Sequence, residues 1–74
     1  MPFRMYELVD TRTGTWLGVY ASRDEALVAV REALWRRGPD AAAALALGWV
    51  AGDGATGVIA EGRALMVLAQ PPAG

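Results

Sequence analysis

The sequence predicts a small α+β fold of element order β-β-α-β-β-(α), a four-stranded antiparallel sheet with one long helix packed on one face. Three observations predict it. Two stretches of β-forming residues, Phe3 to Val9 and Thr15 to Tyr20, flank the turn-forming segment Asp10-Thr11-Arg12-Thr13-Gly14. A capped, helix-periodic run follows from Ser22 to Arg37 and stops at Gly38-Pro39. A second pair of strand-like stretches surrounds Gly52-Asp53-Gly54.

The first hairpin loop suits its residues. The Asp10 carboxylate can accept from turn amides, and Gly14 supplies the positive φ of a type I turn with a bulge. In the second strand, strict alternation places Trp16 and Tyr20 on one face with Gly18, and Leu17 and Val19 on the other. Both faces are then apolar, a pattern that calls for cover on each side.

The helix is written in full. Ser22-Arg23-Asp24-Glu25 is a capping box, with the Ser22 hydroxyl accepting from the Glu25 amide and the Glu25 carboxylate reaching back to the Ser22 amide. Asp24 and Glu25 meet the positive end of the helix dipole, and Arg36 and Arg37 the negative end. Ala26, Leu27, Val30, Ala33 and Leu34 form the apolar stripe, and Glu32 and Arg36 form an i,i+4 pair. Beyond it Asp40 can cap a single turn through Ala41 to Ala44. Leu45 to Val50 reads as strand three, with Leu45, Leu47 and Trp49 alternating against Ala46, Gly48 and Val50. Asp53-Gly54 signals a type I′ turn, and Thr56 to Ala60 is strand four. Arg63 to Ala69 is a short helix or a fifth strand, its Ala64, Leu65, Met66 and Leu68 leaning helical. Residues 1–69 make a single domain, and 70–74 a flexible Pro/Gly tail. Residues 3–20 and 45–60 share a plan, two hairpins each followed by a helix or helix-like run, without convincing identity.

Composition narrows the chemistry. At 74 residues there is room for one small core, which is marginal unless disulfides, a metal or self-association assist it. There is no Cys and no His, which removes disulfides, thiolate and imidazole ligands, and the commonest general base. All seven basic residues are Arg (Arg4, Arg12, Arg23, Arg31, Arg36, Arg37 and Arg63), mixed with eight acids for a net charge of -1. Nucleic-acid binders usually present a basic face, so nucleic acid is not the expected partner. The longest apolar stretch, Ala41 to Gly52, is about half of the ~20 residues a spanning helix needs. The Met1-Pro2-Phe3-Arg4 start lacks a signal-peptide pattern, so the expected location is cytoplasmic.

Two motifs have structural readings. Gly52-Asp53-Gly54-Ala55-Thr56-Gly57 matches G-x-G-x-x-G, but the motif needs a helix opening at its third glycine, and here Val58-Ile59-Ala60 reads as strand. No cofactor is therefore expected. The near carboxylate pairs are Asp24 with Glu25, explained as helix-start residues, and Asp53 with Glu61, which lack a third ligand or a proton relay. Neither a metal site nor a catalytic site is expected. Arg31, Arg36 and Arg37 form a local basic cluster that Glu25, Glu32 and Asp40 offset.

The aromatic residues say more. Tyr6, Trp16, Tyr20, Trp35 and Trp49 are many large rings for this length. Those on strands, Trp16, Tyr20 and Trp49, can stack bases beside Arg4 or Arg12, or fill a core and a subunit interface. On a helical wheel Val28 and Trp35 lie about 80–100° from Leu27, outside the main stripe, and give the helix a second apolar edge. The candidate interaction residues are thus Trp16, Tyr20, Val28, Trp35 and Trp49.

Tyr6-Glu7-Leu8-Val9-Asp10-Thr11-Arg12-Thr13-Gly14, Ser22-Arg23-Asp24-Glu25-Ala26-Leu27, Leu45-Ala46-Leu47 and Ile59-Ala60-Glu61-Gly62 together resemble a group of short uncharacterised bacterial proteins over residues 5–69. Over residues 5–37 the hairpin and capped Glu-Ala-Leu helix are similar to the opening of HicB-type antitoxins. That resemblance implies an antitoxin-like or nucleic-acid-associated regulator, but the chain lacks the additional early strand and the appended DNA-binding segment of that family. The residues themselves favour a non-enzymatic protein-interaction module. It is expected to form a homodimer that buries the second sheet face or the Trp35 edge, with a further protein partner open to it.

Overall fold

The structure, a computed structural model, describes residues 4–70. The elements run β1 (Arg4–Asp10), β2 (Thr15–Tyr20), α1 (Arg23–Arg37), α2 (Pro39–Ala42), β3 (Leu45–Ala51), β4 (Thr56–Glu61) and α3 (Gly62–Ala69). The α+β class and the four-stranded antiparallel sheet are as the sequence predicts. The segment 63–69 settles as helix. Phe3, the expected start of the first strand, and residues 71–74 of the expected tail lie outside the described residues.

The strand order is β2-β1-β3-β4, with β1 and β3 paired antiparallel over Arg4↔Ala51 through Asp10↔Leu45. β2 and β3 therefore run the same way with β1 between them, and α1 is the connection that carries the chain back across β1. At about 1.5 Å per residue its 15 residues span ~22 Å, enough to return along a strand of this length. The two hairpins share one plan. Strands of seven and six residues are followed by a helix, α1 against β1 and β2, and α3 against β3 and β4.

All helical cover lies on one face. Leu8, Leu45, Leu47 and Ala60 from the sheet meet Ala26, Leu27 and Val30 from α1 and Leu65 and Ala69 from α3. Of the eleven buried apolar residues, five are alanines (Ala26, Ala42, Ala44, Ala60 and Ala69), which let helices approach closely but bring little surface out of water. Every buried side chain among the described residues is apolar. The Cα envelope measures 35 × 34 × 17 Å, a slab two layers thick.

Local chemistry explains most boundaries. Asp10 Oδ1 accepts from the Arg12 amide at 2.9 Å, and Gly14, at φ 70°, donates to the Asp10 carbonyl at 2.8 Å. Thr11 ties this loop to the segment just before β3, its amide and hydroxyl both donating to the Ala44 carbonyl. Ser22 Oγ accepts from the Glu25 amide at 3.1 Å. The reciprocal bond of the capping box is absent, as is the Glu32–Arg36 ion pair; the ion pair among the described residues joins Arg12 to Asp10 at 3.7 Å. At the other end Gly38, at φ 87°, donates to the Leu34 carbonyl, and Pro39 opens α2 at its first position. Asp40 thus sits inside the first turn of α2 and does not cap it.

The second hairpin departs from a type I′ turn. That turn needs positive φ at both central residues, and no described residue other than glycine has one. The loop instead spans three residues, closed by the Ala51 amide on the Ala55 carbonyl at 2.8 Å. The Gly54 amide donates to the Ala51 carbonyl at 3.0 Å. Asp53 Oδ1 accepts from the Ala55 amide, so the aspartate stabilises the turn through its side chain.

Both edge strands carry a bulge. Between Leu8 and Val9 the register of β2 jumps from Gly18 to Trp16, and between Leu47 and Gly48 that of β4 jumps from Ala60 to Val58. Leu17 and Ile59 are the extra residues. Bulged edges resist strand-to-strand pairing with another chain.

Candidate interaction surface

The bulges decide which rings share a face. Paired residues point to the same side of a sheet, so Trp16, opposite Val9, lies on the side away from the helices. Tyr20, opposite Tyr6, lies on the helix side. Leu17 is turned inward as well, lining a cleft with Leu8, Tyr20 and Ala33. The grouping of Trp16 with Tyr20, and of Leu17 with Val19, is therefore overturned: one extra residue reverses the alternation beyond it.

The open face of the sheet is apolar across all four strands. β1 gives Met5 and Val9, β2 Trp16 and Val19, β3 Ala46 and Val50, and β4 Val58. Trp16 is 66% exposed and Val58 70%. No helix among the described residues reaches this side. Its charged residues are Glu7, half-buried at the centre between Val19 and Gly48, and Glu61 at the end of β4.

The sequence-predicted residues divide into three places. Trp16 belongs to the open sheet face. Val28 and Trp35 lie on the outer side of α1, Trp35 90% exposed, beside a groove of about 490 Å³ that Arg31, Glu32 and Leu34 complete. Tyr20 and Trp49 are half-buried on the helix side. Tyr20 covers Gly18, and the Trp49 ring lies over Gly57 with the Arg4 guanidinium 4.5 Å from its centroid. A stacking platform built from Trp16, Tyr20 and Trp49 does not form, because the first lies on the opposite face from the other two.

Sequence reasoning missed Met5, Val9, Val19, Val50 and Val58 as surface residues. For β1 and β3 the signal was present, since burying Leu8 and Leu47 turns Met5, Val9 and Val50 outward. For Val19 and Val58 it was hidden by the bulges.

Other features have structural roles. The third glycine of the Gly52–Gly57 motif, Gly57, lies within β4, where it makes room for Trp49. Among the described residues no three of Asp and Glu lie close enough to hold a metal ion. Nor is any helix among them long and apolar enough to cross a membrane. No family model matches the chain, and no curated protein or solved structure shows significant similarity to it.

Proposed function

We propose that this chain is a small non-enzymatic protein-interaction module that associates with copies of itself. The observation that supports it is a largely apolar sheet face, with Glu7 near its centre, that no element among the described residues covers. A two-layer slab whose core is half alanine gains stability by burying that face. Trp16, Val19 and Val58 alone offer roughly 300 Å² of apolar surface per copy. Half-buried neighbours and a polar rim bring the contact toward the ~800 Å² per partner of an ordinary interface. Burying the three residues on both copies contributes up to about 15 kcal/mol, against about 4–15 kcal/mol of lost freedom on association. Glu7 near the centre weakens the contact. The two terms are of similar size, so the association expected is weak, in the micromolar range.

The test is sedimentation velocity of the chain from about 1 to 200 µM beside the double variant Trp16→Thr, Val58→Thr. Threonine keeps β-propensity and removes most of the apolar area. The unaltered chain should associate in the micromolar range, and the variant should do so at least tenfold more weakly with unchanged far-UV circular dichroism. A chain monomeric throughout, or a variant that associates equally well, would overturn the reading.

A further inference from the structure

We propose that α1 carries a second self-association seam, in which two copies pack their α1 helices antiparallel about a two-fold axis passing between Arg31 and Glu32. The sequence of the outer side of α1 carries this assignment. Val28, Arg31, Glu32 and Trp35 stand at i, i+3, i+4 and i+7, opposite the buried stripe of Ala26, Leu27 and Val30. Read from either end, that stripe is apolar, charged, charged, apolar, with the two charges of opposite sign.

An antiparallel pair centred there is self-complementary. Residues whose numbers sum to the same value face one another, so Val28 meets the second copy's Trp35, and Arg31 meets the second copy's Glu32, each contact made twice. The helix ends agree. The acidic first turn, Asp24 and Glu25, comes beside the basic last turn, Arg36 and Arg37, of the second copy, and the two helix dipoles oppose. A parallel pair would place like charges together at both ends. The groove of about 490 Å³ lined by Val28, Arg31, Glu32, Leu34 and Trp35 is where the second copy's indole would sit. Arg31 and Glu32 are exposed and make no ion pair among the described residues, so both are free for this contact.

The contact is small. Trp35 supplies about 200 Å² per copy and Val28 less, which places the seam at the lower end of specific interfaces. It is separate from the sheet face and lies on the opposite side of the slab. A chain with both seams therefore assembles beyond the dimer as the weaker one fills.

The charge pattern allows a test by exchange. R31E sets a carboxylate at position 31 against the second copy's Glu32, and E32R sets a guanidinium at position 32 against the second copy's Arg31. Each variant alone therefore repels itself. An equimolar mixture restores opposite charges across the seam, and only between unlike chains. Native mass spectrometry and sedimentation of the full chain should show the unaltered protein passing from dimer to larger species. Each variant alone should stop at the dimer, and the mixture should regain the larger species with unlike chains paired at least tenfold over like ones. Recovery in the mixture also proves that both variants fold. Variants that assemble like the unaltered chain, or a mixture no better than its components, overturn the α1 seam and leave the sheet reading standing. Single swaps that abolish all association, with recovery in the mixture, uphold the α1 seam and overturn the sheet reading. A monomeric unaltered chain overturns both.

Discussion

Gly48 gives the sharpest test of the packing within the sheet. It lies in β3, where the register with β4 jumps, and its backbone is not in the positive-φ region. A methyl group there would stand 2.9 Å from the Gly57 carbonyl oxygen, an atom of the neighbouring strand that cannot turn aside. Gly48→Ala must therefore push β4 away from β3 at the bulge. Overpacking of this kind costs about 1–3 kcal/mol, offset by about 0.4–1 kcal/mol from the reduced entropy of the unfolded chain. The net loss is about 1 kcal/mol. A domain of this size has about 4–11 kcal/mol in total, so Tm should fall by about 4–8 °C.

The comparison with Gly18→Ala isolates the cause. There the added methyl meets the Tyr20 hydroxyl at 2.5 Å, the end of a half-buried side chain that can tilt outward, so the loss should stay below about 1 kcal/mol. Thermal melts and urea titrations at a few micromolar, where association contributes least, measure both. A Gly48→Ala chain that melts at or above the unaltered one, or a Gly18→Ala chain that is the less stable of the two, would refute the reasoning.

Other outcomes follow from single contacts. Ser22→Ala removes the acceptor for the Glu25 amide and should cost about 1 kcal/mol by urea unfolding, whereas Glu25→Gln should cost little, since that carboxylate makes no return bond. Leu47→Ala empties the centre of the core from a fully buried position, and a loss of about 2–5 kcal/mol should make it the most destabilising of these substitutions by urea unfolding. On immobilised heparin the chain should elute at low salt, because its arginines are interspersed with acids; retention beyond about 0.5 M salt would favour a nucleic-acid-associated role.

The sequence displayed the order of elements because its punctuation is local. Ser22, Gly38 and Gly14 act within a turn of where they stand, and each does in the structure what its type implies. Strand order was not legible, because the pairing of β1 with β3 depends on α1 crossing back over β1, a tertiary choice. The two bulges were hidden for a related reason. Leu17-Gly18-Val19 and Val58-Ile59-Ala60 are good strand sequences in either register, and only the partner strand shows where the extra residue lies. That single shift moved Trp16 to the open face and kept Tyr20 on the helix side, so five aromatic and apolar candidates became three separate places. Val28 and Trp35 were found correctly on the outside because helical spacing carries over without a register to slip.

Intermolecular nuclear Overhauser effects in a mixture of isotope-labelled and unlabelled chains test the proposed pairing through the open sheet face most directly. The account predicts cross-peaks between the Trp16 ring of one copy and methyl groups of Val9, Val19, Val50 or Val58 of another at about 200 µM. An associated sample with intermolecular cross-peaks only from α1, or with none on the sheet, would contradict it.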